Sequence, residues 1–261
     1  MKKRIISAIV MLAIVIPLVF LGNKPFILGV GIVGLMSYYE IMKLNKYPNL
    51  VKIFSFIALL IIIYNNYDIN LFINGFDFRL IAATLLLILT PAIFYQVDGK
   101  YTTMDAFRLF TFIILIGLGL NFFILIRNYS LQYFILMLLI PIFTDTFAYF
   151  GGTFIGKHKA TKLSPKKTWE GYFTGSIVAT ILTTIFYIYF IGNPSNTFLL
   201  IIMILLMTIF AQIGDLFFSA IKRSYGIKDF SNLIPGHGGI IDRLDSLIFV
   251  SFMFIIFIEY L

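Results

Sequence analysis

Four carboxylates stand where an apolar chain has least reason to keep them. Asp145 lies in Phe143-Thr-Asp-Thr-Phe-Ala-Tyr149, Asp215 in Ala211-Gln-Ile-Gly-Asp-Leu-Phe217, and Asp242 and Asp245 open the last apolar run. An ionised carboxylate in hydrocarbon costs about 2.5–3.5 kcal/mol on insertion scales, so such residues persist by facing a polar cavity with a partner. Asp242 and Asp245 are three apart and share a helix face. Asp215 stands about one and a half helical turns before the end of its own run, at a comparable depth. Carboxylates converging on one point repel unless a cation joins them. Hard oxygen donors suit Mg²⁺, which keeps several waters and also binds substrate phosphate. A structural pair, such as Asp245 with Arg243 or Lys222, is the plainer alternative for any single acid.

Two basic segments accompany these acids. Lys222–Gly239 carries Lys222, Arg223 and Lys228, then Pro-Gly-His-Gly-Gly. Its glycines let backbone amides approach a phosphate closely, and the helix carrying Asp242 follows at once, offering further N–H donors. A plain turn is the alternative. His237 reads as a metal ligand, a phosphate donor or a structural residue. The other segment, Gly151–Gly171, contains Ser164-Pro-Lys-Lys-Thr-Trp-Glu-Gly171. Lys166 and Lys167 have the charge to neutralise a triphosphate, or to sit on anionic lipid. Trp169 suits stacking on a base or anchoring at the interface. Walker-A spacing is absent, which excludes a P-loop nucleotidase.

The elements that position these residues must be membrane helices. The chain is 60% hydrophobic and 12% charged, with a mean hydropathy of +0.98, against about 25% charged residues in soluble domains. Cysteine is absent, which removes disulfides, thiolate zinc sites and a thiol nucleophile. The net charge of +8 points to lipid headgroups or phosphate substrates and away from nucleic acid.

Apolar stretches of about 17–25 residues cross the hydrocarbon. They read as Ile5–Leu21, Pro25–Met42, Val51–Tyr67, Arg79–Tyr95, Phe107–Ile126, Leu131–Phe150, Tyr172–Ile191, Thr197–Ile221 and Ile240–Tyr260. The third is the weakest, being short and polar at Asn65 and Asn66. Met1-Lys-Lys-Arg before an apolar run reads as an uncleaved first helix, since no small-x-small pattern stands near Leu21-Gly22-Asn23. All of the 20 Lys and Arg except Lys24, Arg79 and Arg127 fall on one side of this arrangement, which the positive-inside rule makes cytoplasmic. The expected architecture is an all-α polytopic transmembrane bundle of about nine spans with a cytoplasmic N-terminus. It forms a single integral membrane domain over 1–261, with N-terminal spans in 1–130 and catalytic spans and loops in 131–261. Asp68, Asp77 and Asp98 read as loop charges, Glu259 as a charge near the end of the sequence, and Glu40 as the close of the second span.

Ser219-x-x-Lys222-Arg223, Lys228-Asp229 and Pro235-x-His237-Gly238-Gly239-x-x-Asp242-Arg243-x-Asp245 resemble, without departure, the defining motif of the phosphatidate cytidylyltransferases, or CDP-diacylglycerol synthases. Asp145-x-x-Ala148-Tyr149-x-x-Gly152 and Ser164-Pro-Lys-Lys-Thr-x-Glu-Gly171 are similar to the same family. The resemblance covers the C-terminal half. It implies CTP and phosphatidate as substrates, CDP-diacylglycerol and pyrophosphate as products, a helical membrane fold found as a homodimer, and Mg²⁺ with room for a second cation. By motif position, Asp215, Asp242 and Asp245 would bind metal, and Lys166, Lys167, Lys222, Arg223 and His237 would hold phosphates. Asp145, Ser164, Lys228, Asp229, Gly238, Gly239 and Arg243 complete the expected substrate site, on the cytoplasmic side of the cell membrane. A transporter or a polyprenol kinase is the rival reading; the clustering of acids toward one face, away from midplane, weighs against the transporter.

Overall fold

The structure, a computed structural model, describes residues 2–65 and 78–261. The last residues of the expected third span, with Asp68 and Asp77, lie outside the described residues, as do the side chains of Lys2, Lys3 and Arg4. Among the described residues there are nine α-helices: α1 (Lys2–Leu21), α2 (Asn23–Met42), α3 (Asn49–Ile63), α4 (Phe78–Tyr95), α5 (Thr103–Tyr129), α6 (Leu131–Phe154), α7 (Trp169–Phe190), α8 (Thr197–Ser224) and α9 (Ile241–Phe257). Among the described residues, β-type pairing is limited to two isolated bridges, Lys159 with Thr168 and Ile234 with Gly238.

Five helices, α2 and α5–α8, are long and apolar enough to cross a membrane. Exposed Ile, Leu and Phe side chains along α1, α2, α6, α7 and α8 form a surface that water would oppose and acyl chains accept. The protein is an integral membrane protein.

Several helix ends differ from those expected, each for a local reason. α5 starts at Thr103 because Thr102 and Asp105 form a reciprocal cap: Asp105 N–H donates to Thr102 Oγ1 (3.2 Å), and Thr102 N–H donates to Asp105 Oδ2 (3.0 Å). α6 continues through Gly151 and Gly152, read above as loop, because its end packs closely on α7. A Cβ at Gly151 would run into the Thr174 side chain. α7 begins early, at Trp169, with Thr168 as its N-cap accepting from Gly171 N–H (3.1 Å). α8 extends to Ser224, so Lys222 and Arg223 are helical. α3 stops at Ile63, and buried Asn121 donates to the Ile63 carbonyl (3.0 Å). Its 15 residues give a length of about 22 Å, short of a hydrocarbon core of about 30 Å.

The chain forms two compact units. The first holds α1–α5 and the segment Phe230–Ile241, around a core that includes Ile41, Leu59, Ile63, Ile113, Ile116 and Leu120. Here the short α1–α2 turn is fixed by Arg127 of α5, which donates to the Val19 and Phe20 carbonyls (2.6 and 3.1 Å) and so satisfies the end of α1. The second unit holds Ser130–Asp229 and Asp242–Leu261. Its core includes Met137, Ile140, Ile204, Met207, Phe218, Ile248 and Phe254.

Candidate active site

The lysine loop of the second unit, residues 155–168, is folded by its own backbone. Ala160 N–H donates to the Lys167 carbonyl (2.9 Å), Lys167 N–H to the Ser164 carbonyl (3.0 Å) and Trp169 N–H to the His158 carbonyl (3.0 Å). The Glu170 carboxylate closes the loop, accepting from the His158 N–H at 3.2 Å and meeting its Nδ1 at 2.5 Å. Ser164 thus serves through its carbonyl. The loop presents Lys166 to solvent and turns Lys167 inward.

Lys167 meets carboxylates from three helices. It forms an ion pair with Asp215 of α8. It is also attracted by Asp145 of α6 and Asp245 of α9 and repelled by Lys222 of α8. Burial dominates and holds the ammonium below the ordinary lysine range, against the pull of Asp145 and Asp245, while Lys222 adds to the lowering. Two turns beyond Asp215, on the same face of α8, Lys222 Nζ donates to Asp242 Oδ1 at 2.7 Å, and both side chains are buried. Asp245 is also buried and accepts from Ser246 N–H at 2.7 Å. Arg243 lies exposed on α9, within electrostatic reach of Asp145. Acids that look isolated in the sequence therefore form one alternating cluster with two lysines.

This cluster borders a cavity of about 500 Å³ lined by Asp145, Tyr149, Lys166, Lys167, Tyr172, Gln212 and Asp215, among others, a size suited to a small ligand. Lys167 Nζ stands 5.5 Å from the centre of the Tyr172 ring. Gln212 donates to Ser176 Oγ (2.9 Å) and to the Tyr172 carbonyl (3.1 Å), fixing α8 to α7 beside the cavity. The α6–α7 wall is built on small residues. A Cβ at Gly171 would lie 2.7 Å from the Ala148 carbonyl oxygen, and one at Gly175 2.6 Å from that of Thr144.

The middle of the 219–245 motif belongs to the first unit and is organised from the N-terminal helices. Pro235-Gly236 makes a turn closed by His237 N–H donating to the Ile234 carbonyl (2.9 Å), with Gly236 at φ +80°, the pattern of a type II turn. Ile234 N–H donates to the Gly238 carbonyl (2.9 Å). Ser7 of α1 lies 2.8 Å from His237 Nδ1 and donates to the Pro235 carbonyl (3.0 Å). The N–H groups of Ile240 and Ile241, expected to face phosphate, instead donate to Glu40 of α2 at 2.7 and 2.9 Å. Gly239 is required by that carboxylate, since a Cβ there would lie 2.5 Å from Glu40 Oε1. Glu40 and Ser7 escaped the sequence reading. The one available signal was an acid at the end of an apolar run.

The expected residues thus divide. Asp145, Lys167, Asp215, Lys222, Asp242, Asp245 and Arg243 come together within the second unit, with Lys166 on the cavity wall. Arg223 is exposed and donates to the Ile227 carbonyl (3.2 Å), while Lys228 and Asp229 are exposed in the connection that follows. His237, Gly238 and Gly239 lie in the first unit. The acids are hard oxygen donors of the kind a divalent cation takes, so the donor set fits Mg²⁺. Their arrangement has Asp215 and Asp242 on ammonium groups, and among the described residues no group of three acid or histidine side chains is gathered as a cage.

The sequence pattern of the cytidylyltransferase family matches residues 2–261. A phosphatidate cytidylyltransferase of Staphylococcus haemolyticus is 32% identical over 253 residues, covering 96% of each chain. Those of Staphylococcus epidermidis and Staphylococcus aureus are 32% and 30% identical over the same length and coverage. The match spans both compact units and includes the carboxylate–lysine cluster, and the chain accordingly belongs to the cytidylyltransferase family of nucleotidyltransferases.

Proposed function

We propose that this protein transfers the cytidylyl group of CTP to phosphatidate, releasing pyrophosphate and forming CDP-diacylglycerol in the cell membrane. The observation that carries this reading is the cavity in which Lys166 and Lys167 stand against Asp145 and Asp215. It combines cations for a polyphosphate with carboxylates for a hard metal ion. The relatives, named for this reaction and alike over 96% of their length, support it.

A phosphatidate phosphate oxygen attacks the α-phosphorus of CTP, the new P–O bond forms, and the bond to the β-phosphate bridging oxygen breaks. The attacking phosphate is already anionic at neutral pH, so the barrier is chiefly the approach of two anions. Lys167 and Lys222 exchange their carboxylate partners for phosphate oxygens, Lys166 and Arg223 add positive charge around the triphosphate, and His237 is assigned to phosphate by its place in the motif. By their place in the motifs, Asp145, Ser164, Lys228, Asp229, Gly238, Gly239 and Arg243 are assigned to substrate binding. Asp215, Asp242 and Asp245 would hold Mg²⁺, with or without a second cation, which when bound neutralises phosphate charge.

In this reading about nine helices cross the bilayer, the N-terminus is cytoplasmic, and the cluster opens to the cytoplasm, in keeping with the distribution of Lys and Arg. The acyl chains remain in the bilayer while the headgroup reaches the site. The working form is a homodimer, and nucleic acid is not a partner. The test is purified protein with Mg²⁺, phosphatidate and radiolabelled CTP. Label from the α-position in the lipid product supports cytidylyl transfer. Label from the γ-position there would mean a kinase and overturn the reading.

A further inference from the structure

We propose that Glu40 is a positioning residue for this reaction, holding the glycine segment that leads into Asp242. The proposal rests on the reading above for its kinetic part alone. Glu40 is fully buried. Its Oε1 accepts from Ser231 Oγ (2.6 Å) and Ile240 N–H (2.7 Å), and its Oε2 from Ile241 N–H (2.9 Å). A carboxylate removed from water is costly unless its lone pairs are met. Here every one of these donors comes from a single short segment, about 200 positions along the chain. Gly239 passes so close that any larger residue would strike the carboxylate, both of whose oxygens lie within 2.5–2.7 Å of a Cβ built there.

A residue serving only the helix bundle would bond to neighbouring helices. Glu40 instead bonds to the 231–241 segment, and two of its three donors, Ile240 N–H and Ile241 N–H, lie between His237 and Asp242, two residues assigned to the chemistry. It fixes the backbone at Ile240 and Ile241, and the next residue in the chain is Asp242. Freeing that backbone lets the following carboxylate and the preceding imidazole drift, and a misplacement of about 1 Å can cost about 100-fold in rate. Glutamine at position 40 keeps the volume but offers one acceptor oxygen, and it turns an amide N–H₂ toward a backbone donor.

The experiment compares full-length wild type, Glu40→Gln, Glu40→Ala, Gly239→Ala and the double variant Glu40→Ala with Gly239→Ala, in the same detergent. Hydrogen exchange is followed by peptide, and KM is measured for CTP and for phosphatidate. The expected result for Glu40→Gln is exchange at least tenfold faster in 231–241 with α3 and α5 unchanged, and a KM for at least one substrate raised fivefold or more. A simple loss of folded enzyme would lower turnover and leave KM alone. Gly239→Ala should reproduce the Glu40→Gln effect if Glu40→Gln itself does not fold. In the double variant the added loss from Gly239→Ala should fall below twofold, because the carboxylate it strikes is gone. Unchanged exchange in 231–241, or faster exchange with both KM values unchanged, overturns the proposal. If wild type transfers no cytidylyl group, the functional reading fails, and the exchange data alone decide whether Glu40 holds the segment.

Discussion

Lys222 Nζ lies 2.7 Å from Asp242 Oδ1, with side chains only 11% and 4% exposed. An ammonium and a carboxylate that far from water depend on each other. Removing one strands the other, at a cost of about 3–5 kcal/mol in buried pairs generally. The same contact puts a positive charge where the proposed reaction needs one, beside an acid proposed to take a cation.

Lys222→Met should therefore lower the detergent unfolding temperature measurably in EDTA, because the buried Asp242 carboxylate loses its ammonium at 2.7 Å. Added Mg²⁺ should recover more of that temperature in the variant than in wild type, since the cation replaces the missing ammonium. Equal Mg²⁺ responses in the two proteins would show that Asp242 does not accept a cation when its lysine is gone.

Asp242→Asn and Asp245→Asn each keep side-chain volume and remove the charge. Turnover should fall by about 100-fold or more in both, while the unfolding temperature should change little in Asp245→Asn and fall in Asp242→Asn, which takes the charged carboxylate from the buried Lys222 ammonium. In wild type, EDTA should stop CDP-lipid formation and Mg²⁺ restore it. Near-normal turnover in either variant removes that acid from the mechanism.

How much of this was legible before the fold depended on the range of each interaction. Asp145, Asp215, Asp242 and Asp245 stand out because a charge in an apolar run is costly wherever it points. That Lys167 pairs with Asp215, and Lys222 with Asp242, needs coordinates, because each pair joins separate elements. Glu40 read as the close of the second span, and its partners lie 191–201 positions away. Gly151 and Gly152 read as loop because glycine usually interrupts helices. Close packing of α6 on α7 made them helical. The five long apolar helices emerge from hydropathy alone, whereas the short α3 does not reveal where it ends.

Lys167→Gln should raise the KM for CTP at least tenfold if Lys167 turns from Asp215 to the triphosphate. The pair is partly accessible, at 27% and 23%, so its loss should cost stability less than loss of the Lys222–Asp242 pair. The comparison is made by steady-state kinetics and unfolding on the two variants side by side. An unchanged KM for CTP assigns Lys167 to structure.

Two glycines beside the cavity should respond unequally to the same added methyl group. At Gly171 a Cβ would meet backbone, the Ala148 carbonyl oxygen at 2.7 Å and Gly152 N at 3.2 Å. Backbone cannot swing aside, so α6 and α7 must part, and overpacking of this kind costs about 1–3 kcal/mol. Asp145 rides on α6 and Lys167 immediately precedes the N-cap of α7, so parting these helices also spreads the cavity between them. At Gly152 the nearest atom is Thr168 Oγ1, at 3.1 Å, a side-chain atom whose shift would loosen its N-cap hydrogen bond to Gly171 N–H without parting the helices. Gly171→Ala should thus lose both unfolding temperature and turnover, whereas Gly152→Ala should keep most of each. Equal losses would mean that the small residues at this crossing do not set the width of the cavity.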